Sequence, residues 1–233
     1  MRPAGEGPSR ATSRRPLRLA HHGDHRAAPE NSLAAISAAL AVRGIDGVEF
    51  DVRASEDRVP ILLHDATLER VQGRPQAPAA LTAAELEGLG VPSLSVVLDL
   101  LPRTAFLDIE LKEDVVDAAV PLIAAARGDP PAAVAISSFD AAVLAHVRVV
   151  VASWTRWLNA ERLDSDAIAL ACDLGCAAVS AGWRSLDERS VGAAVAEGLE
   201  VAAWTVMSVD VVERLAALGV GAICVEGEAL GAG

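Results

Sequence analysis

GVEFDVRASEDRVPILLHD, residues 47–65, opens as a strand and closes on a histidine. Val48 to Val52 is an apolar run broken by two acids, Glu49 and Asp51. Side chains two apart on a strand share one face, so both carboxylates project the same way. The ten residues after Asp51 are too few for a parallel crossover, which needs a dozen or more. A hairpin fits instead: the strand runs out, turns near Glu56 and Asp57, and returns through Ile61, Leu62 and Leu63. That return sets His64 beside the strand that carries Glu49 and Asp51.

Further strand-like runs flank this segment at Leu17–His21, Ala105–Leu111, Ala133–Ser137, Val149–Ser153, Ala177–Ser180, Val201–Val206 and Ala222–Val225. Segments with helical spacing lie between most of them, for example Ser32–Val42, Val115–Ala126 and Val209–Leu218. Strand and helix in alternation imply βαβ units and a parallel sheet. Eight such strands close a (β/α)8 barrel, with the hairpin after strand 2 as an irregularity. Residues 66–103 are a second irregularity, rich in Gly and Pro, with a short helix at Thr82–Leu89 and a capping box of Thr82 and Glu85. They read as an insertion over the barrel mouth. Residues 1–16 (MRPAGEGPSRATSRRP) read as a disordered tail, and 17–233 as one domain.

Apolar residues make up 52% of the chain, yet it has four Trp, three Phe and no Tyr. The core must therefore be built from Ala, Val, Leu and Ile, as suits buried parallel strands. The formal charge of −12 and the lack of a Lys/Arg cluster in the body argue against nucleic acid and anionic lipid as partners. No apolar run is long enough to span a membrane. Three cysteines, Cys172, Cys176 and Cys224, fit a reducing compartment, hence the cytoplasm. His146, mid-helix and without sequence partners, reads as structural.

Three strands carry His or acids at their C-terminal ends: Leu19-Ala20-His21, Val48-Glu49-Phe50-Asp51 and Leu107-Asp108-Ile109-Glu110-Leu111-Lys112. In a barrel those ends share one mouth. Gathering carboxylates there is costly unless a cation pairs with them. One alternative is a set of structural ion pairs with Lys112, Arg53 and Arg103. The other is a divalent ion on Glu49, Asp51 and Glu110, where an all-oxygen set favours Mg2+ or Ca2+, with Mn2+ also suitable. Such an ion would admit a phosphate to an acidic protein. His21 and His64 flank it and could exchange protons with a nucleophile and a leaving alcohol.

At this point the sequence resembles the glycerophosphodiester phosphodiesterase family, a TIM-barrel family. HHGDHRAAPENSLAAI at 21–36, EFD at 49–51, HD at 64–65 and ELK at 110–112 carry the resemblance, with SSFD at 137–140 and AAWTV at 202–206 later in the chain. It implies metal-dependent hydrolysis of small-molecule glycerophosphodiesters to sn-glycerol 3-phosphate and an alcohol. Glu49, Asp51 and Glu110 become metal ligands, and His21 and His64 the catalytic acid and base. Lys112 would approach the phosphate, Trp204 the glycerol, and Asp65 would orient His64; Glu30 would be a metal ligand or a support for the site, or else a favourable charge at the start of the following helix. His22 stands where the family has Arg, with Arg26 as a compensating cation. Val225-Glu226 replaces the usual Thr-Asp. A lysophospholipid hydrolase of the phospholipase D type, and a barrel that binds phosphate or metal without turnover, remain alternatives.

Overall fold

The computed structural model describes residues 15–26 and 28–231, so the tail expected at 1–16 lies outside them except for Arg15 and Pro16. Nine strands form one sheet: β1 Leu17–His21, β2 Gly47–Ala54, β3 Pro60–Leu62, β4 Phe106–Leu111, β5 Val134–Ser138, β6 Arg156–Ala160, β7 Ala178–Gly182, β8 Glu200–Val206 and β9 Ala222–Val225. All except β3 are parallel to their neighbours, and β1 pairs with both β2 and β9, which closes an eight-stranded (β/α)8 barrel. Strand β3 pairs antiparallel with β2, Val52 opposite Leu62, so the hairpin is present as expected from 47–65, and Ile61 adds an isolated bridge to Ser93.

Strand alternation sorts the side chains. Outward residues such as Val48, Phe50, Leu107 and Ile109 join the helices in the main core. Inward ones fill the lower barrel with a small cluster that includes Leu19, Ala135, Trp157, Ala178, Ala202 and Ala222. Small side chains let the strands close tightly. Gly47 shows how tightly: a Cβ there would lie 1.9 Å from the Phe106 carbonyl oxygen.

One strand expectation fails. The run Val149–Ser153 is no strand, because Val149 and Val150 end the helix Ala141–Val150. The strand is Arg156–Ala160, which carries Arg and Asn. Its arginine is buried with its guanidinium on the carbonyls of Ala152, Trp154 and Gly175. Those bonds give both Nη atoms of a buried cation carbonyl partners, and the polar residue masks the strand's apolar character.

Leu68, Leu86 and Val91 of 66–103 pack with Ile61 and Leu63 of the hairpin as a separate small core. Thr82 and Glu85 form the capping box, at the start of helix Ala83–Glu87. Val91, Leu94 and Leu98 are buried and so form no exposed apolar rim. No described helix is long and apolar enough to cross a membrane.

Candidate active site

The C-terminal strand ends surround a cavity of about 350 Å³. One side presents His21, Glu49, His64, Asp108, Glu110 and Lys112. The other presents Phe139, Asn159, Glu161, Ser180, Trp204 and Thr205.

The acidic half follows from the registers. Asp51 lies opposite Glu110, and Glu49 opposite both His21 and Asp108. One oxygen from each of Glu49, Asp51 and Glu110 lies within 4.8 Å of the others. All three carboxylates are buried. Asn31 holds Asp51 from behind, donating its Nδ2 to Oδ2 at 2.8 Å and accepting the Asp51 amide through Oδ1 at 3.3 Å. The other oxygen, Oδ1, has no hydrogen-bond partner. Lys112 Nζ stands 3.4 Å from that oxygen and 2.6 Å from Glu110 Oε1.

Burial and then the charge on Asp51 push the Glu49 carboxyl well above its ordinary range. The same causes raise Glu110. Burial opposes ionisation of Asp51 as well, but His22 and Lys112 hold it far below the usual carboxylate range. The single ammonium of Lys112 therefore leaves this trio short of positive charge. An unpartnered buried oxygen between two reluctant acids fits a hard divalent cation.

The histidines are anchored at one nitrogen each. His21 Nδ1 lies 2.5 Å from Glu226 Oε1, while Nε2 lies 3.3 Å from Thr205 Oγ1 and 3.8 Å from Glu49 Oε2. Burial, and then His22, push the His21 imidazolium down to about 4 against the pull of Glu226. His64 Nδ1 lies 2.7 Å from Asp65 Oδ1. Arg70 holds Asp65 down at about 2.

Two expected substrate contacts lie elsewhere. His22 is buried and sends Nε2 to Asp51 Oδ2 at 2.9 Å, with its ring stacked 3.7 Å from that of His21 and 5.2 Å from that of His64. Although burial works the other way, Asp51 raises the His22 imidazolium above its ordinary value. Arg26 is clamped by Asp24 through Nε and Nη2, both at 2.7 Å, and its Nη1 donates to the Gly227 carbonyl. Neither residue lines the cavity, so Lys112 is its cationic side chain among the described residues.

Trp204 lines the cavity, its Nε1 donating to Ser180 O at 3.0 Å and its ring edge-on to Phe139. Glu30 takes neither a metal-ligand position nor the cap of helix Leu33–Leu40, which belongs to Ser32. It accepts from Arg70 and lies 3.7 Å from His22 Nδ1. His146 does have partners, Asp114 at 2.9 Å and Asp117 at 3.5 Å, on the outer surface.

The sequence reading gave no role to Asn31, Arg70, Asp108, Asn159, Thr205 or Glu226. Strand period could have flagged Asp108 and Asn159, since each continues an inward row. Glu226, directly after β9, could have been flagged as another acid at a strand end.

The turn after β1 brings the first histidine in. His22 and Asn31 take left-handed conformations, at φ 56° each, and Gly23 lies at φ 86°. A Cβ on Gly23 would meet the Ala35 carbonyl carbon at 2.6 Å, so only Gly lets this turn pack on the helix.

Comparison with known proteins agrees with this geometry. Residues 21–124 match the Glycerophosphoryl diester phosphodiesterase family. A glycerophosphodiester phosphodiesterase of Caldanaerobacter subterraneus subsp. tengcongensis is 31% identical over 114 residues, 43% of this chain and 46% of that protein. Glycerophosphodiester phosphodiesterase 1 of Rattus norvegicus is 50% identical over 52 residues, 22% of this chain and 15% of that one. The chain thus spans less than half the length of these relatives. Among solved structures, an Oleispira antarctica phosphodiesterase in complex with the product sn-glycerol-3-phosphate superposes with a TM-score of 0.80 at 24% identity, covering 90% of this chain and 92% of that one. An Agrobacterium tumefaciens glycerophosphodiester phosphodiesterase gives 0.77 at 23%, covering 93% and 98%. At such identities the likeness speaks for the shared barrel. Residues 21–124 thus match the glycerophosphoryl diester phosphodiesterase family, and the barrel as a whole is similar to solved structures of the same architecture.

Proposed function

We propose that this protein hydrolyses glycerophosphodiesters to sn-glycerol 3-phosphate and an alcohol, with His21 and His64 as acid and base. One observation carries the reading. Three buried carboxylates converge within 4.8 Å, beside a cavity walled by two histidines that each have one ring nitrogen tied to a carboxylate.

Glu49, Asp51 and Glu110 would hold one divalent cation, Mg2+ or Ca2+ with Mn2+ also suitable. When bound, it offsets charge on the non-bridging phosphate oxygens. Lys112 adds a point charge on the same side. Glu226 and Asp65 each fix the tautomer of their histidine, so that Nε2 of each ring exchanges the proton. In the first step one histidine takes the proton of the glycerol 2-hydroxyl, whose oxygen attacks phosphorus. The other protonates the departing alcohol. In the second step water opens the cyclic phosphate with the two roles exchanged. Trp204 and Phe139 wall the side on which the glycerol carbons would lie.

Thr205 and Asn159 present polar groups to the same space, which suits a polyol better than an acyl chain. The unpaired cysteines support a reducing compartment, the cytoplasm.

The test is release of glycerol 3-phosphate from glycerophosphocholine and glycerophosphoethanolamine. Activity should vanish with EDTA, return with Mg2+, Mn2+ or Ca2+, and be lost in Glu49→Ala and His64→Ala. Wild-type turnover that survives both substitutions would assign the chemistry to other residues.

A further inference from the structure

Arg70 sits in the four-residue helix Glu69–Gln72, just beyond the hairpin that delivers His64. Its guanidinium makes two bidentate forks. Nη1 and Nη2 donate to the carboxylate of Glu30 at 2.7 and 2.5 Å, and Nε and Nη2 donate to that of Asp65 at 2.6 and 3.0 Å. Both acceptors face a histidine. Asp65 Oδ1 is the oxygen that anchors His64 Nδ1 at 2.7 Å, and Glu30 Oε1 lies 3.7 Å from His22 Nδ1. His22 in turn reaches Asp51 at 2.9 Å. An unbroken line of polar contacts therefore runs Asp51, His22, Glu30, Arg70, Asp65, His64, joining the loop after β1 to the loop after β3.

We infer that Arg70 is a positioning residue, whose two forks lock Asp65 and Glu30 and thereby fix the ring of His64 against the carboxylate cluster. The inference rests on the function proposed above. The chemistry requires Arg in particular. One planar cation must satisfy two carboxylates at once along two edges, a geometry that the tetrahedral ammonium of Lys does not reproduce. Without it, Glu30 and Asp65 would repel one another, and Asp65 would be free to rotate away from His64. A loose proton-transfer group, whether acid or base, costs rate more than binding, because proton transfer depends on alignment.

The experiment compares Arg70→Ala and Arg70→Lys with wild type, and with Arg74→Ala as an exposed control in the same segment. Glycerophosphocholine turnover is followed, with thermal melting to check folding. The expected result is a fall in kcat of about 10- to 100-fold in both variants with KM changed less than about threefold. Millimolar guanidinium chloride should restore part of the rate to Arg70→Ala but not to Arg70→Lys, and Arg74→Ala should match wild type. In parallel, ¹⁵N NMR of the histidine side chains should show a single His64 tautomer in wild type and a mixture in Arg70→Ala. A folded Arg70→Ala with kcat within twofold of wild type, or with an unchanged His64 spectrum, overturns the inference. If Arg70→Ala does not fold, Arg70→Lys decides by the same two readouts. If wild type hydrolyses no diester, the proposed function falls, and the NMR comparison alone judges the positioning role.

Discussion

At the residue scale, the site is an arrangement of anchors more than of reactive groups. Each histidine proposed for proton transfer has its Nδ1 against a carboxylate, Glu226 for His21 and Asp65 for His64. The Glu226 contact gives a direct prediction. Glu226→Ala should lower kcat by about 10- to 100-fold while leaving KM nearly unchanged, since it removes an orienting group and no substrate contact. Steady-state kinetics on a glycerophosphodiester checks this, and a change confined to KM would argue that Glu226 touches substrate instead. Both Glu226 and Arg70 escaped the sequence reading for the same reason. Their importance lies in partners 205 and 40 residues away, at His21 and Glu30. Glu49, Asp51 and Glu110 were legible because acids interrupting buried strands are costly wherever they occur. His22 and Arg26 were assigned to substrate through the resemblance, which says nothing of the ion pairs with Asp51 and Asp24 that hold their heads away from the cavity.

At the scale of elements, the hairpin β2–β3 and the strand β6 make an instructive contrast. The hairpin was forced by chain length, since no parallel crossover fits between Asp51 and Ile61. The sixth strand was misread because an apolar helix end, Val149 and Val150, looked more like a strand than RWLNA does. Val149 and Val150 are apolar yet exposed, so local hydrophobicity here reported neither burial nor conformation. Barrel closure makes its own demand at Gly47, where a Cβ would sit 1.9 Å from the Phe106 carbonyl oxygen on the neighbouring strand. Gly47→Ala should cost about 1–3 kcal/mol or more in urea unfolding, because both contacting atoms belong to paired backbones that have little room to shift. An unchanged urea midpoint would show that β2 and β4 can part at that end without loss.

For the whole molecule, the acids at the mouth link stability to metal and to pH. A divalent cation that binds the folded chain alone at 100 times its Kd should add about 2.7 kcal/mol. Thermal melting with and without Mg2+ or Ca2+ should show this rise in wild type and not in Asp51→Asn. Equal shifts in both proteins would move the ion elsewhere. In the metal-free protein, burial lifts Asp108 to about 7, helped by Glu110 and Asp51 and opposed by the hydroxyl of Ser137, against 3.8 unfolded. The folded state then binds the extra proton between those two values, so stability falls as pH rises from about 4 to 7 and stays lowered above. Asp108→Asn should therefore melt higher than wild type at pH 8, with the gain shrinking toward pH 4. A gain independent of pH would trace to packing.

Local pattern along the chain was enough for the alternation of strand and helix apart from β6, for the hairpin, for the Ala-rich core and for the three acids with two histidines near strand ends. Burial, strand period and the minimum length of a crossover act locally along the chain, so they are written there. Only the folded arrangement shows that His22 and Arg26 are held away from the cavity, that Glu226 faces His21, and that Arg70 bridges two loops. Those outcomes depend on distances between residues far apart in sequence, and ion pairing varies over ångströms that no local pattern records.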